Sequence, residues 1–209
     1  MKIFLSYLLG SINGALLIGR LRGVDIRQSG SGNAGGTNAL RTQGKVFATG
    51  VMAIDIFKGV IPTLVLPLLI LPGVGTDPDI ARNWLMYSCG LAAVVGHCYP
   101  IWFGFKGGKG AATALGVIAA AAPVLLIPAL IAWVVTLKLF GFVGIATIVA
   151  GLAMPLAVLM FQSPVVLSLF MFSSLLGLFV LYTHRSNVIK FLAHESSADV
   201  TPWIDIGRS

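Results

Sequence analysis

Long apolar stretches alternate along the chain with short polar loops. An apolar run over 3–19 stops at the basic cluster Arg20, Arg22 and Arg27, and predicts a first helix. A polar loop over 25–45 follows. Apolar stretches over 46–71 and 81–101 predict a second and a third helix, parted by an acidic, proline-rich turn over 72–79. A second polar loop covers 103–110, and from 111 to 182 the chain is apolar almost throughout. Stretches of this kind suit the ~20 residues that cross ~30 Å of hydrocarbon. The pattern predicts an all-α fold, a polytopic integral membrane helix bundle.

The number of spans turns on 111–137. Taken as one helix, it makes six spans. Broken at Pro123, it makes seven. Lysines and arginines of short loops collect on the cytoplasmic side. Seven transmembrane helices, with the N-terminus outside and the C-terminus cytoplasmic, leave only Lys2 and Arg82 outside. Six spans move Lys138, Arg185, Lys190 and Arg208 outside as well. Seven spans are therefore expected, with the sixth over 142–161 and the seventh over 164–182. The fourth and fifth are then short, about 13 to 15 residues each, and require local thinning or burial within the bundle. The first apolar run begins after Lys2 and lacks a small-residue cleavage site, so it is expected to be a retained span. No repeat or low-complexity tract appears. The expectation is one membrane-embedded domain over 1–209 with a short polar tail over 196–209.

Composition agrees. The chain is 57% hydrophobic and 10% charged, with a mean hydropathy of +0.94, whereas soluble domains carry about 25% charged residues. The net charge of +7 is not a nucleic-acid signature, because no basic run is interleaved with aromatics on a solvated face. It reads as topology and as anion binding. Cys89 and Cys98 are spaced to face different sides of one helix, so neither a disulfide nor a metal pair is expected.

Four polar clusters stand out against this background, and the seven-span parity brings all four to one membrane face. The first is the segment 29–41. Gly30, Gly32, Gly35 and Gly36 free the backbone amides to turn toward an anion. Ser31, Asn33, Thr37 and Asn38 add donors, and Arg41 adds a charged fork. The alternative is a flexible polar loop with Arg41 at lipid headgroups. The second is Asp55 and Lys58, three apart on one helix face, where an ion pair that tolerates burial competes with direct chemistry. The third runs from His97 to Thr113. Within it Gly107, Gly108, Lys109 and Gly110 open a helix whose N-terminal amides suit an anion, though a plain basic topogenic loop is the alternative. It lacks the GxxxxGK[ST] spacing of a nucleotide loop. The fourth combines His184, Arg185 and Asn187 at a span end, where an interfacial cap is the alternative. No HExxH, GxSxG or Cys/His ligand set is present, so no metal site is expected.

These clusters, in this order, resemble the bacterial membrane glycerol-3-phosphate acyltransferases that draw their acyl group from acyl phosphate. The resemblance rests on GlySerGlyAsnAlaGlyGlyThrAsnAlaLeuArg over 30–41, on GlyHisCysTyrProIleTrpPheGlyPheLysGlyGlyLysGlyAlaAlaThr over 96–113, and on HisArgSerAsnVal over 184–188. AspIlePheLysGly over 55–59 also fits. The end departs from the pattern: Lys190 stands where the family carries Arg, and Glu195 comes one position early. The resemblance implies a seven-helix enzyme of the bacterial inner membrane, its site facing the cytoplasm. It implies acyl transfer to the 1-hydroxyl of sn-glycerol 3-phosphate, giving lysophosphatidic acid and inorganic phosphate. No cofactor and no metal are implied; the partners are the two substrates, the lipid bilayer and other enzymes of phospholipid synthesis. Ser31, Arg41, Lys109, His184 and Asn187 become the expected catalytic residues. The glycines, Asn33, Thr37, Asn38, Asp55, Lys58, His97, Thr113 and Arg185 become the expected binding residues. Two rivals are weaker on the residues. A transporter of an anionic metabolite would show paired, inverted halves. An acyltransferase using a thioester donor would carry an HxxxxD box, but Trp102 and Ile189 stand five residues after His97 and His184.

Overall fold

The structure, a computed structural model, describes residues 1–70 and 82–195. The acidic turn expected over 72–79 and the polar tail over 196–209 lie outside the described residues. Among the described residues the chain is all-helical and falls into two compact units, Met1–Pro123 and a second beginning at Val124.

The first unit holds α1 (Lys2–Gly10), α2 (Gly14–Leu21), α3 (Gly36–Val65), α4 (Arg82–Cys98) and α5 (Ala111–Ala121). The first expected helix is in fact broken, with α1 and α2 meeting at 48°. The cause is local. Asn13 is extended, with φ −76° and ψ 119°, and its side chain caps α2 by accepting from the Leu16 amide. The second helix starts earlier than expected. It begins at Gly36, inside the expected polar loop, and kinks at Gly44, whose φ of 80° and ψ of −179° no helix contains. α3 then packs on α5 at backbone distance. A Cβ on Gly59 would collide with the Thr113 carbonyl, and one on Gly116 with that of Ile56. Small residues let membrane helices approach in this way.

A core of apolar side chains lies under the first loop: Ala15 and Leu16 of α2, Ile26 and Ala34 of the loop, and Ala39, Phe47, Ala48 and Val51 of α3. Ile26 and Ala34 are fully buried, so the loop is anchored by two apolar feet. The Arg22 guanidinium lies 5.6 Å over the Phe47 ring and covers one side of this core.

The second unit holds α6 (Leu126–Phe140), α7 (Val143–Phe161), α8 (Leu167–Thr183) and α9 (Arg185–Glu195). The long apolar stretch from 111 is interrupted at Ala122 and a 3-10 turn over Pro123–Leu125, because proline removes a helix amide and clashes with the preceding turn. α6 is apolar all round and buries only Thr136, while Ile131, Leu139, Met160 and Phe161 stand exposed. Helices apolar on their outer face are solvated by lipid. Among the described residues, three helices are able by length and composition to cross a membrane, or up to five if each bent pair counts as one span. α9 was not expected from the sequence. It turns 53° away from α8, and its Phe191 packs edge-on against Phe140 and Phe142 at 5.8 and 4.8 Å.

Candidate active site

The first glycine-rich loop is shaped by one amide side chain. Asn38, on the first turn of α3, is 1% exposed. Its Nδ2 donates to the carbonyls of Ile26 and Ser29, both at 3.1 Å, and its Oδ1 accepts from the Ser31 amide at 2.9 Å. Gly30 passes so close, at φ +59°, that a Cβ would strike this Oδ1. Asn38, expected as a substrate donor, thus turns inward and holds the loop from behind. Ser31, Thr37 and Arg41 remain on its exposed side, with Asn33 half-buried.

A second fastening comes from the break between α1 and α2. Asn13 caps α2 with Oδ1 and donates through Nδ2 to the Ala34 carbonyl at 3.2 Å. The break also exposes backbone groups that a continuous helix would pair. Lys58 Nζ donates to the Ile12 carbonyl at 3.0 Å, and Asp55 Oδ1 accepts from the Gly14 amide at 3.0 Å. The two side chains meet at 2.9 Å, the ion pair that their spacing predicts, with Asp55 fully buried and Lys58 nearly so. Both were expected as binding residues or as a buried ion pair; the pair forms, and both face inward and brace the broken span. His97 joins them, its Nδ1 3.4 Å from Asp55 Oδ1. Among the described residues, Asp55 Oδ2, His97 Nδ1 and Thr113 Oγ1 are buried without a hydrogen bond.

The second loop is seated on the end of α4. The amides of Gly107 and Gly108 donate to the carbonyls of Cys98 and His97 at 3.1 and 3.2 Å. A Cβ on Gly108 would strike His97 Nε2 and the Ala34 carbonyl. Gly108, His97 and Ala34 therefore meet where the two loops touch, and only a residue without a side chain fits there. Lys109 is half-buried beside them, and Gly110, at φ +87°, caps α5. Thr113 is fully buried in the first turn of α5.

His184, Arg185 and Asn187 stand together in the second unit. His184 ends α8 and is 5% exposed. Its Nδ1 lies 2.9 Å from the Val180 carbonyl and 3.2 Å from Thr183 Oγ1. A carbonyl only accepts, so Nδ1 carries a proton in this contact. The Asn187 amide donates to the His184 carbonyl at 2.7 Å. Its side chain lies flat on α7 at Gly144, where any Cβ would collide with it. Arg185 stacks 4.4 Å over the Tyr182 ring and donates to the Tyr182 carbonyl at 2.9 Å.

A family profile described as glycerol-3-phosphate acyltransferase matches residues 1–194. The chain belongs to the glycerol-3-phosphate acyltransferase family. The acyltransferase is 38% identical over 190 residues to the glycerol-3-phosphate acyltransferase of Aquifex aeolicus (strain VF5), covering 91% of this chain and 93% of that protein. It is also similar to two crystal structures of PlsY (YgiH), an integral membrane glycerol 3-phosphate acyltransferase. The glycerol 3-phosphate form aligns with a TM-score of 0.77 at 36% identity, covering 92% of this chain and 90% of that one. The lysophosphatidic acid form aligns with a TM-score of 0.75 at 35% identity, with the same coverage of each chain. This acyltransferase is accordingly a multi-pass integral membrane enzyme.

Sequence reasoning missed three of its residues. Asn13, an amide before an apolar run, is a helix-start signal that could have split the first helix. Arg27 was counted only as a topological charge. Gly144 carries no sequence signal, since nothing in a lone glycine says which side chain lies across it.

Proposed function

We propose that the enzyme transfers a fatty acyl group from acyl phosphate to the 1-hydroxyl of sn-glycerol 3-phosphate, releasing lysophosphatidic acid and inorganic phosphate. The observation that carries this reading is the pair of glycine-rich loops joined at Ala34 and Gly108, with Ser31 and Arg41 exposed on one and Lys109 beside the other. Two substrates, each bearing a phosphate, call for two anion cradles. Similarity to a protein crystallised in glycerol 3-phosphate and lysophosphatidic acid forms supports the same substrates.

In this reading Ser31 and the amides of the first loop hold the acyl phosphate head. Arg41 and Lys109 hold the glycerol phosphate and offset the charge of two anions. Asn38, Asp55, Lys58 and His97 act behind the loops, keeping their shape. His184 and Asn187 enter through the likeness of their motif; the imidazole and the side-chain amide are the polar groups to orient the hydroxyl or the acyl carbonyl. The hydroxyl oxygen attacks the acyl carbon, the carbon–oxygen bond to phosphate breaks, and the departing phosphate takes the hydroxyl proton. Phosphate leaves readily, so positioning and charge stabilisation suffice without a covalent enzyme intermediate. The acyl tail fits a cavity of about 690 Å³ in the first unit, lined by Leu5, Leu8, Leu9, Leu66, Trp102 and Phe103.

Both units are proposed to serve as one acyltransferase domain with seven spans in the bacterial inner membrane, the N-terminus outside and the loops in the cytoplasm. The break at Pro123 and the distribution of basic residues support this arrangement. The test is direct. Purified enzyme given acyl phosphate and glycerol 3-phosphate should release phosphate and lysophosphatidate in equal amounts. Turnover with acyl-CoA alone overturns the choice of donor, and uptake without turnover in liposomes overturns the enzyme reading. A second measurement addresses the base. If His184→Ala binds both substrates yet has no turnover, the imidazole and not the leaving phosphate takes the proton.

A further inference from the structure

Arg27 lies outside the residues assigned to substrates, yet its hydrogen bonds tie the first loop to the second. Asp25 fixes its plane: Oδ1 accepts from Arg27 Nε at 2.9 Å and Oδ2 from Nη2 at 2.8 Å. Oδ1 also accepts from the Arg27 amide at 3.0 Å, capping the 3-10 turn Ile26–Gln28. With two of its nitrogens held, the guanidinium presents Nη1 to the second loop. There it donates to the carbonyls of Phe103 at 3.3 Å and Lys106 at 3.2 Å.

The acceptor turn is unusual. Gly104 and Phe105 both have positive φ, +66° and +60°, and among the described residues Phe105 is the non-glycine residue that does so. A bulky side chain in the left-handed region is disfavoured and persists where the surroundings hold it. Two carbonyls pointed at one place repel, and the cationic Nη1 between them offsets that repulsion. The turn leads straight into Gly107 and Gly108. On the other side, the 3-10 turn that carries Arg27 also carries the Ile26 carbonyl gripped by Asn38, whose Oδ1 holds the Ser31 amide. One chain of bonds thus runs from Ser31 through Asn38, the 3-10 turn and Arg27 to the loop of Lys109.

We infer that Arg27, oriented by Asp25, is a positioning residue that sets the register between the two anion cradles, so that acyl phosphate and glycerol 3-phosphate are held for attack. This rests on the acyltransferase reading. Each loop retains its own anchors without the clamp: Asn38 and Asn13 for the first, the Cys98 and His97 carbonyls for the second. Losing it should therefore leave each substrate bound and spoil their mutual placement. Small displacements of reacting groups cost up to about 100-fold in rate.

The experiment is steady-state kinetics of the full chain in detergent, varying each substrate in turn, with melting curves alongside. Arg27→Gln and Arg27→Lys are expected to lower kcat about 10- to 100-fold, with KM for each substrate within about threefold of the wild type. Lysine keeps the charge but has no planar fork to hold a carboxylate and span two carbonyls. Asp25→Asn, which keeps the capping oxygen, should reproduce the loss. The double variant Asp25→Asn with Arg27→Gln should be no worse than Arg27→Gln alone. Arg20→Gln, removing one charge nearby, should keep its kcat. A rise in KM at constant kcat makes Arg27 a direct anion ligand and overturns the inference. So do a lowered melting temperature at unchanged kinetics and an equal loss in Arg20→Gln. A wild type that forms no lysophosphatidate defeats the underlying function instead, which separates the two failures.

Discussion

Single side chains decide the shape of the loops, and the amide of Asn38 shows how. It satisfies two carbonyls and one amide at once. Asn38→Ala takes the acceptor from the Ser31 amide and a donor from the Ile26 and Ser29 carbonyls, which keep the Ser29 and Gly32 amides, at about 1–3 kcal/mol for a group left unpaired where water does not reach. The expected outcome is a lower melting temperature together with a loss of kcat/KM of at least about tenfold, measured on the purified variant. Asp25 makes a pH-dependent contribution. The Arg27 guanidinium beside it holds its carboxyl below the ordinary value of 3.8. A depressed carboxyl stabilises the fold above its unfolded value and stops doing so as pH falls through its folded value. The melting-temperature advantage of the wild type over Asp25→Asn should thus be complete above about pH 4 and vanish in stronger acid. Both side chains are about a third exposed, so the advantage is small, under about 1 kcal/mol. That glycines, Ser31 and Arg41 form an exposed polar loop was legible in the residue types. Which way Asn38 turns was not, because an amide donates equally well to a ligand or to its own loop.

Among the elements, the broken span α1–α2 and its brace on α3 matter most. Spacing made the Asp55–Lys58 pair legible, since residues three apart share a helix face. Its purpose was not, because the backbone groups it serves, Ile12 and Gly14, lie 46 and 41 residues away in sequence. A buried pair is costly to split and tolerable to replace as a whole. Lys58→Met should therefore destabilise by about 3–5 kcal/mol, and adding Asp55→Asn should restore part of that loss, since the asparagine oxygen still accepts from the Gly14 amide. Thermal unfolding of the two singles and the double checks this. A double variant less stable than Lys58→Met shows that the carboxylate has a task beyond the pair. The unforeseen helix α9 follows the same logic. Its own sequence is polar enough to look like a tail, and it is the packing of Phe191 on Phe140 and Phe142 that makes it an element.

At the scale of the whole molecule, topology carries the prediction. Seven spans place Arg82 outside and both Lys106 and Lys190 inside, whereas six spans put Lys190 outside. Single-cysteine variants at 82, 106 and 190, in a chain lacking Cys89 and Cys98, should react with an impermeant maleimide in intact cells only at 82. Labelling at 190 favours six. Sequence alone determined that this is a helical membrane protein, because 57% hydrophobic residues in long runs admit no other solvent than lipid. It also determined the two glycine-rich loops and the family, since those motifs constrain backbone conformation and charge locally and are carried whole in the chain. Only the tertiary structure decided that Asn13 breaks the first helix to reach Ala34, that Gly108 lies against His97, and that Arg27 bridges to Phe103 and Lys106. Each of these is a contact between segments far apart in the chain, where the outcome depends on backbone distances that local propensity and spacing do not encode.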